Sequence, residues 1–150
     1  METNSAATLA EALAAMRFRV LPGFYCLISA PPSELSLLTK SFAPFAASGG
    51  VVQIVIEKMG VTAVAPEPAL RSLHSLAGYR IEHNYRVIQF ETPMTWDVVG
   101  FLALVTRKLA EAGVPLGAIC SFDRDYLFIR ETHLEQARAA LIAGVCPETV

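Results

Sequence analysis

Twice along the chain the same succession can be read from the residues, strand then helix then hairpin then helix, and this repeated order limits the fold more than any single motif. In the first pass Pro22-Gly23 signals a turn, residues 24–30 (FYCLISA) are rich in β-formers, and Pro31-Pro32 stops that strand. From Ser33, which can cap a helix start, Leu35, Leu38, Phe42 and Phe45 fall at helical spacing, with an end expected near Pro44. Gly49-Gly50 breaks the chain, residues 51–57 and 61–65 read as a hairpin around Met59-Gly60, and Pro68 opens a short helix that Gly78 stops.

In the second pass residues 86–91 (RVIQFE) alternate as a strand that Pro93 ends. The clearest helix of the chain follows, starting near Thr95-Trp96-Asp97. Val98, Phe101, Leu102, Val105, Leu109 and Ala112 line one face, Arg107, Lys108 and Glu111 lie elsewhere, and Gly113 follows the last turn. Residues 115–122 and 126–129 flank Asp123-Arg124-Asp125, which predicts a hairpin with that triplet at its tip. Thr132 and Glu135 have the spacing of a capping box for a last helix with Leu134, Ala137 and Leu141 on its apolar face. Ahead of both passes, residues 5–16 predict a short Ala- and Leu-rich helix serving as an accessory arm.

A β-α-β-β-α order with right-handed crossovers places helices on one face of a mostly antiparallel sheet. The expected class is therefore α+β, with ferredoxin-like βαββαβ units in tandem. The count falls one strand short of two complete units. Either a strand is shared or exchanged between the halves, or Val20-Leu21 extends the first one. The expected division is an N-terminal helical arm over residues 1–19, a first unit over 20–80 and a second over 81–150, the two units forming one compact body. Glu82-His83 reads as a solvated connector.

Charge excludes some functions. The net charge is −2 and no Lys/Arg cluster marks any element, so there is no electrostatic footprint for nucleic acid. Apolar residues reach 53% against 17% charged, so part of the surface is expected to meet another subunit. The longest uncharged stretch, residues 41–56, is broken by Pro44 and Gly49-Gly50 and is too short to span a bilayer. Glu2 and Glu11 stand where a secretory signal would be basic and then apolar, and three cysteines form no CxxC; a cytoplasmic chain is expected. Cys120 with His74 or His133 would be the nucleophile and base of a small enzyme. Cys120 reads instead as an inert thiol on the buried face of a strand, so no catalysis is expected. The three histidines are dispersed, and neither a metal nor a cofactor is indicated.

The segment from Leu102 to Leu141 carries a denser signal. A helix ending in Leu109-Ala110-Glu111-Ala112-Gly113 leads into a strand, then Ser121-Phe122-Asp123-Arg124-Asp125-Tyr126, then a largely apolar strand from Leu127 to Arg130 and the acidic-capped Glu131 to Glu135. This run resembles ACT domains, specifically the small tandem-ACT family that includes the CASTOR arginine sensors. The turn Pro22-Gly23-Phe24 is similar to that of the family's small bacterial members. The resemblance implies a tandem ACT-like fold, a sensing or regulatory role through an amino-acid-like ligand, and assembly into homodimers or larger oligomers, with a regulated protein partner.

A helix N-terminus offers unpaired N–H groups to a carboxylate, and Gly100 lets a ligand approach the backbone. ACT ligands bind at such a turn, which points to Trp96, Asp97, Val98, Val99 and Gly100. An ammonium needs an anion, and the resemblance assigns that part to Asp125, within Ser121, Phe122, Asp123 and Asp125. In relatives the cleft is completed by the start of the next strand of a facing unit, here Pro115-Leu116. Ala103 stands where an arginine sensor has a Glu gripping the guanidinium, which argues against arginine. Each residue also has a plainer reading: the aspartates as solvated turn residues, Asp97 as a helix-start residue, Gly100 as a packing contact, Trp96 as a lid or interface anchor. On those readings the chain is a protein-interaction or oligomerisation module with a vestigial site.

Overall fold

The computed structural model describes residues 8–150. In chain order the elements are α1 (Leu9–Ala15), β1 (Phe18–Val20), β2 (Tyr25–Ala30), α2 (Leu35–Ala47), β3 (Gln53–Glu57), β4 (Gly60–Pro66), β5 (Arg80–Phe90), α3 (Phe101–Glu111), β6 (Gly117–Cys120), β7 (Asp125–Arg130) and α4 (Leu134–Gly144). Short 3₁₀ turns occupy Pro32–Glu34, Glu67–Ser72 and Glu131–His133. The described residues divide into two units, Leu21–Arg86 and a second made of Val87–Val150 with residues 8–20. Residues 5–7 of the expected first helix lie outside the described residues.

In the unit Leu21–Arg86 the strand order is β3-β4-β2-β5, every pairing antiparallel. The β3-β4 hairpin turns where Met59-Gly60 predicted, with Glu57 opposite Gly60. Leu38 and Phe42 of α2 bury against Cys26, Ile28, Val61, Ala63 and Ala65. The first part of β5 closes this unit as its fourth strand, with Tyr85 opposite Tyr25 and Glu82 opposite Leu27. Glu82-His83 is thus strand, not connector, and the reason is non-local: the segment is polar, and its order comes from pairing with β2. The register shifts between Tyr25 and Leu27, where Asn84 adopts a left-handed φ of 63° in β5, a conformation Asn tolerates better than most residues. The Asn84 N–H is held by the Glu67 carboxylate at 2.7 Å.

In the other unit the order is β1-β5-β7-β6. Here the last residues of β5 act as a first strand, with Phe18 opposite Phe90 and Val20 opposite Ile88. The strand missing from the sequence count is therefore β1, supplied from ahead of the first unit, while β5 is shared by the two units. Residues after α4 continue this edge: Phe18 N–H donates to Pro147 O at 3.2 Å and Thr149 N–H to Phe18 O at 2.7 Å. The core is Phe18, Phe90, Phe101, Val105, Leu109, Leu127, Ile129 and Leu141, with Phe101 edge-on to Phe90 at 5.0 Å. Leu9 and Leu13 of α1 pack on this core. Burying each such side chain contributes roughly 1.5–3 kcal/mol.

The short helix expected from Pro68 to Gly78 is only a 3₁₀ turn over Glu67–Ser72, and helix starts also differ from expectation. Gly100 has φ 97°, outside the right-handed helical region, so α3 begins at Phe101 and not near Thr95. Thr132 forms no capping box; its hydroxyl meets His133 Nδ1 at 3.2 Å and a 3₁₀ turn precedes α4. Ser33 likewise lies in a 3₁₀ turn, and α2 runs through Pro44 to Ala47. A capping box forms instead at α1, between Thr8 and Glu11. The end of α3 is as expected, Gly113 taking φ 71°.

Candidate functional site

The loop between β5 and α3 and the tip of the β6-β7 hairpin meet at one end of the unit. Met94 N–H donates to Asp123 O at 3.0 Å, tying the two loops together. Pro93 ends β5, Val98 N–H bonds back to Thr95 O at 3.2 Å, and Gly100 turns the chain into α3. The N–H groups of Phe101, Leu102 and Ala103 precede the first bond of the helix, Leu104 to Gly100 O, and no side chain caps them. The tip of the hairpin is closed by Ser121, whose N–H and hydroxyl donate to Arg124 O at 2.8 and 2.9 Å.

Between these loops lies a cleft of about 240 Å³. Of the residues expected at a site, Trp96, Val98, Gly100, Ser121, Phe122, Asp123 and Asp125 line it. Asp97 lines an adjoining hollow with Trp96, Phe122 and Asp123. Val99 is 84% exposed and stands outside the cleft, as do Pro115, exposed, and Leu116, which packs on the core. Met94, Thr95, Phe101, Leu102, Ala103 and Cys120 also line it and were not among the expected site residues, while Arg124, weighed from the sequence as a partner for an acidic group or for Asp123, lines it too. Arg124 sat inside the quoted turn motif between two expected residues, so its position was available as a signal.

Cys120 corrects an expectation. It is exposed at the end of β6, opposite Asp125, because the alternation of the strand buries Ile119 and turns Cys120 outward. Its thiol donates a hydrogen bond to the Asp125 carboxylate; that bond, then partial burial, then the carboxylate charge push it up to about 11. A thiol held protonated in this way is a poor nucleophile. Arg124 donates through Nε to Glu91 O at 3.2 Å and makes no ion pair with Asp123 among the described residues.

The charge layout of the cleft is thus an uncapped helix start, two aspartates and one arginine, with apolar walls from Met94, Trp96, Val98, Phe101, Leu102 and Phe122. It suits a small ligand bearing a carboxylate and an ammonium. Among the described residues no helix is long and apolar enough to cross a membrane.

Residues 80–143 match the family model of the ACT domain. No curated protein matches the chain. Solved structures do. A protein from Agrobacterium tumefaciens aligns with a TM-score of 0.69 at 20% identity, over 89% of this chain and 92% of that one. A Vibrio cholerae protein of unknown function, described as a possible transport protein, gives 0.63 at 21% over 87% and 91%. The ligand-free regulatory subunit of aspartate kinase from Thermus thermophilus gives 0.59 at 16% over 86% and 95%. At these identities the likeness is one of fold.

Proposed function

We propose that this chain, an ACT-domain protein through residues 80–143, binds a small amino acid or related metabolite in the cleft at the start of α3 and acts as a non-catalytic sensor or regulator. The observation that carries this reading is the convergence of an uncapped helix start and the Asp123-Asp125 turn on one cleft of small-molecule size. The ligand carboxylate meets the N–H groups of residues 101–103, where the helix dipole favours an anion. The ammonium meets Asp125, which offsets its desolvation. The regulatory subunit of aspartate kinase among the similar folds is in keeping with a regulatory role. The protonated Cys120 thiol favours binding over catalysis.

Trp96, Val99 and Phe122 are 75%, 84% and 81% exposed around the mouth. Exposed aromatic side chains favour cover by a partner. In our reading that partner is a second copy of the chain, whose Pro115-Leu116 end closes the cleft. The alternative is an oligomerisation module with an idle cleft.

Isothermal titration with the best-binding amino acid tests the assignment. Asp125→Ala is expected to weaken binding at least tenfold, about 1.4 kcal/mol, with the fold intact by circular dichroism. Unchanged affinity would show that the ammonium does not sit at Asp125.

A further inference from the structure

The binding mode above leaves one charged group in the cleft unused. Arg124 lines it, half-buried, and is the one cation that does so among the described residues. Its position is fixed at both backbone and side chain. Ser121 N–H donates to Arg124 O at 2.8 Å, and the Ser121 hydroxyl oxygen accepts from Arg124 N–H at 3.2 Å. Its Nε is tied to Glu91 O at 3.2 Å. Glu91 in turn is anchored by its N–H on Arg17 O at 2.8 Å and by its carboxylate, which accepts from Thr149 Oγ1 at 2.6 Å. With Nε occupied, the two Nη groups are the edge that remains, and that edge matches the two oxygens of a carboxylate.

The charges are not equal in weight. Asp97 and Asp123 are exposed, so solvent and salt screen them, whereas Asp125 and Arg124 are half-buried and act at closer to full strength. The less screened interior therefore holds one anion, one cation and the positive end of α3. An ordinary zwitterion neutralises Asp125 and the helix start and leaves Arg124 without a counterion. A second carboxylate on the ligand completes the set.

Resting on the amino-acid reading above, we infer that Arg124 is a specificity-determining residue that selects a dicarboxylic amino acid, its side-chain carboxylate paired with the Nη edge. The ligand class is then one with two carboxylates and one ammonium within a short carbon chain, in keeping with the small volume of the cleft.

The test compares acids with their uncharged amides of the same shape on the full chain. By isothermal titration, aspartate or glutamate is expected to bind at least tenfold more tightly than asparagine or glutamine. Arg124→Gln is expected to abolish that preference while leaving amide affinity within threefold. Amides that bind the wild-type chain as well as the acids would overturn this inference and leave the amino-acid reading standing. So would an Arg124→Gln chain that loses acids and amides equally, since Arg124 would then serve every ligand alike. Absence of binding by any amino acid would overturn both.

Discussion

At the residue scale, Asp125 faces two demands, accepting a hydrogen bond from Cys120 and, in the proposed site, receiving a ligand ammonium. The first can be measured without any ligand. The Cys120 thiol stands at about 11 against an ordinary 9.0, so at pH 8 its thiolate fraction is roughly a hundredfold below that of a free cysteine, although the side chain is exposed. Iodoacetamide labelling at pH 8 is expected to be slow. In Asp125→Ala the bond and the charge both go, the thiol moves down toward its ordinary range, and labelling of Cys120, followed by mass spectrometry, accelerates more than tenfold. Equal rates would show that Asp125 does not hold the thiol. The sequence pointed to Gly100 either as an opening for a ligand or as a packing contact. Its left-handed φ was not legible, because a conformation reserved for a cap can be seen only once the helix start is known.

At the element scale, much of the stretch that matches the ACT-domain model, residues 80–143, could be read directly. The apolar face of α3, its stop at Gly113 and the hairpin tip at Asp123-Arg124-Asp125 follow from local periodicity and turn chemistry. Three features could not be read this way. The polar start of β5 becomes strand through pairing with β2, β1 is three residues long, and the last helix begins with a 3₁₀ turn in place of the expected box. The two Thr-x-x-Glu sequences separate pattern from geometry. Thr8→Ala is expected to cost about 1 kcal/mol, because its hydroxyl accepts from the Glu11 N–H. Thr132→Ala is expected to change stability by less than about 0.5 kcal/mol, since it satisfies no helix N–H. Urea midpoints of the two variants check the ordering; a larger loss at Thr132 would contradict the cap assignment.

At the scale of the whole molecule, the unit that holds the cleft is built from segments far apart in the sequence. The N-terminal residues supply β1 to the unit that holds the cleft, and Phe18 is fully buried there. A chain beginning at Leu21 is therefore expected to lose cooperative unfolding of residues 87–150, read as collapsed amide dispersion by NMR for that unit. Retained native shifts would show that β1 is dispensable. The missing strand had to be sought across the whole sequence because local patterns carry no information about which distant segment fills an edge. The central claim is that this unit presents a working amino-acid site at the start of α3, and the most direct measurement is the melting temperature of the intact protein across a panel of amino acids. A ligand that binds only the native state stabilises by about 2.7 kcal/mol at a hundred times its Kd, so at least one amino acid is expected to raise Tm saturably by several degrees. A flat response to every amino acid at saturating millimolar concentration would contradict the account.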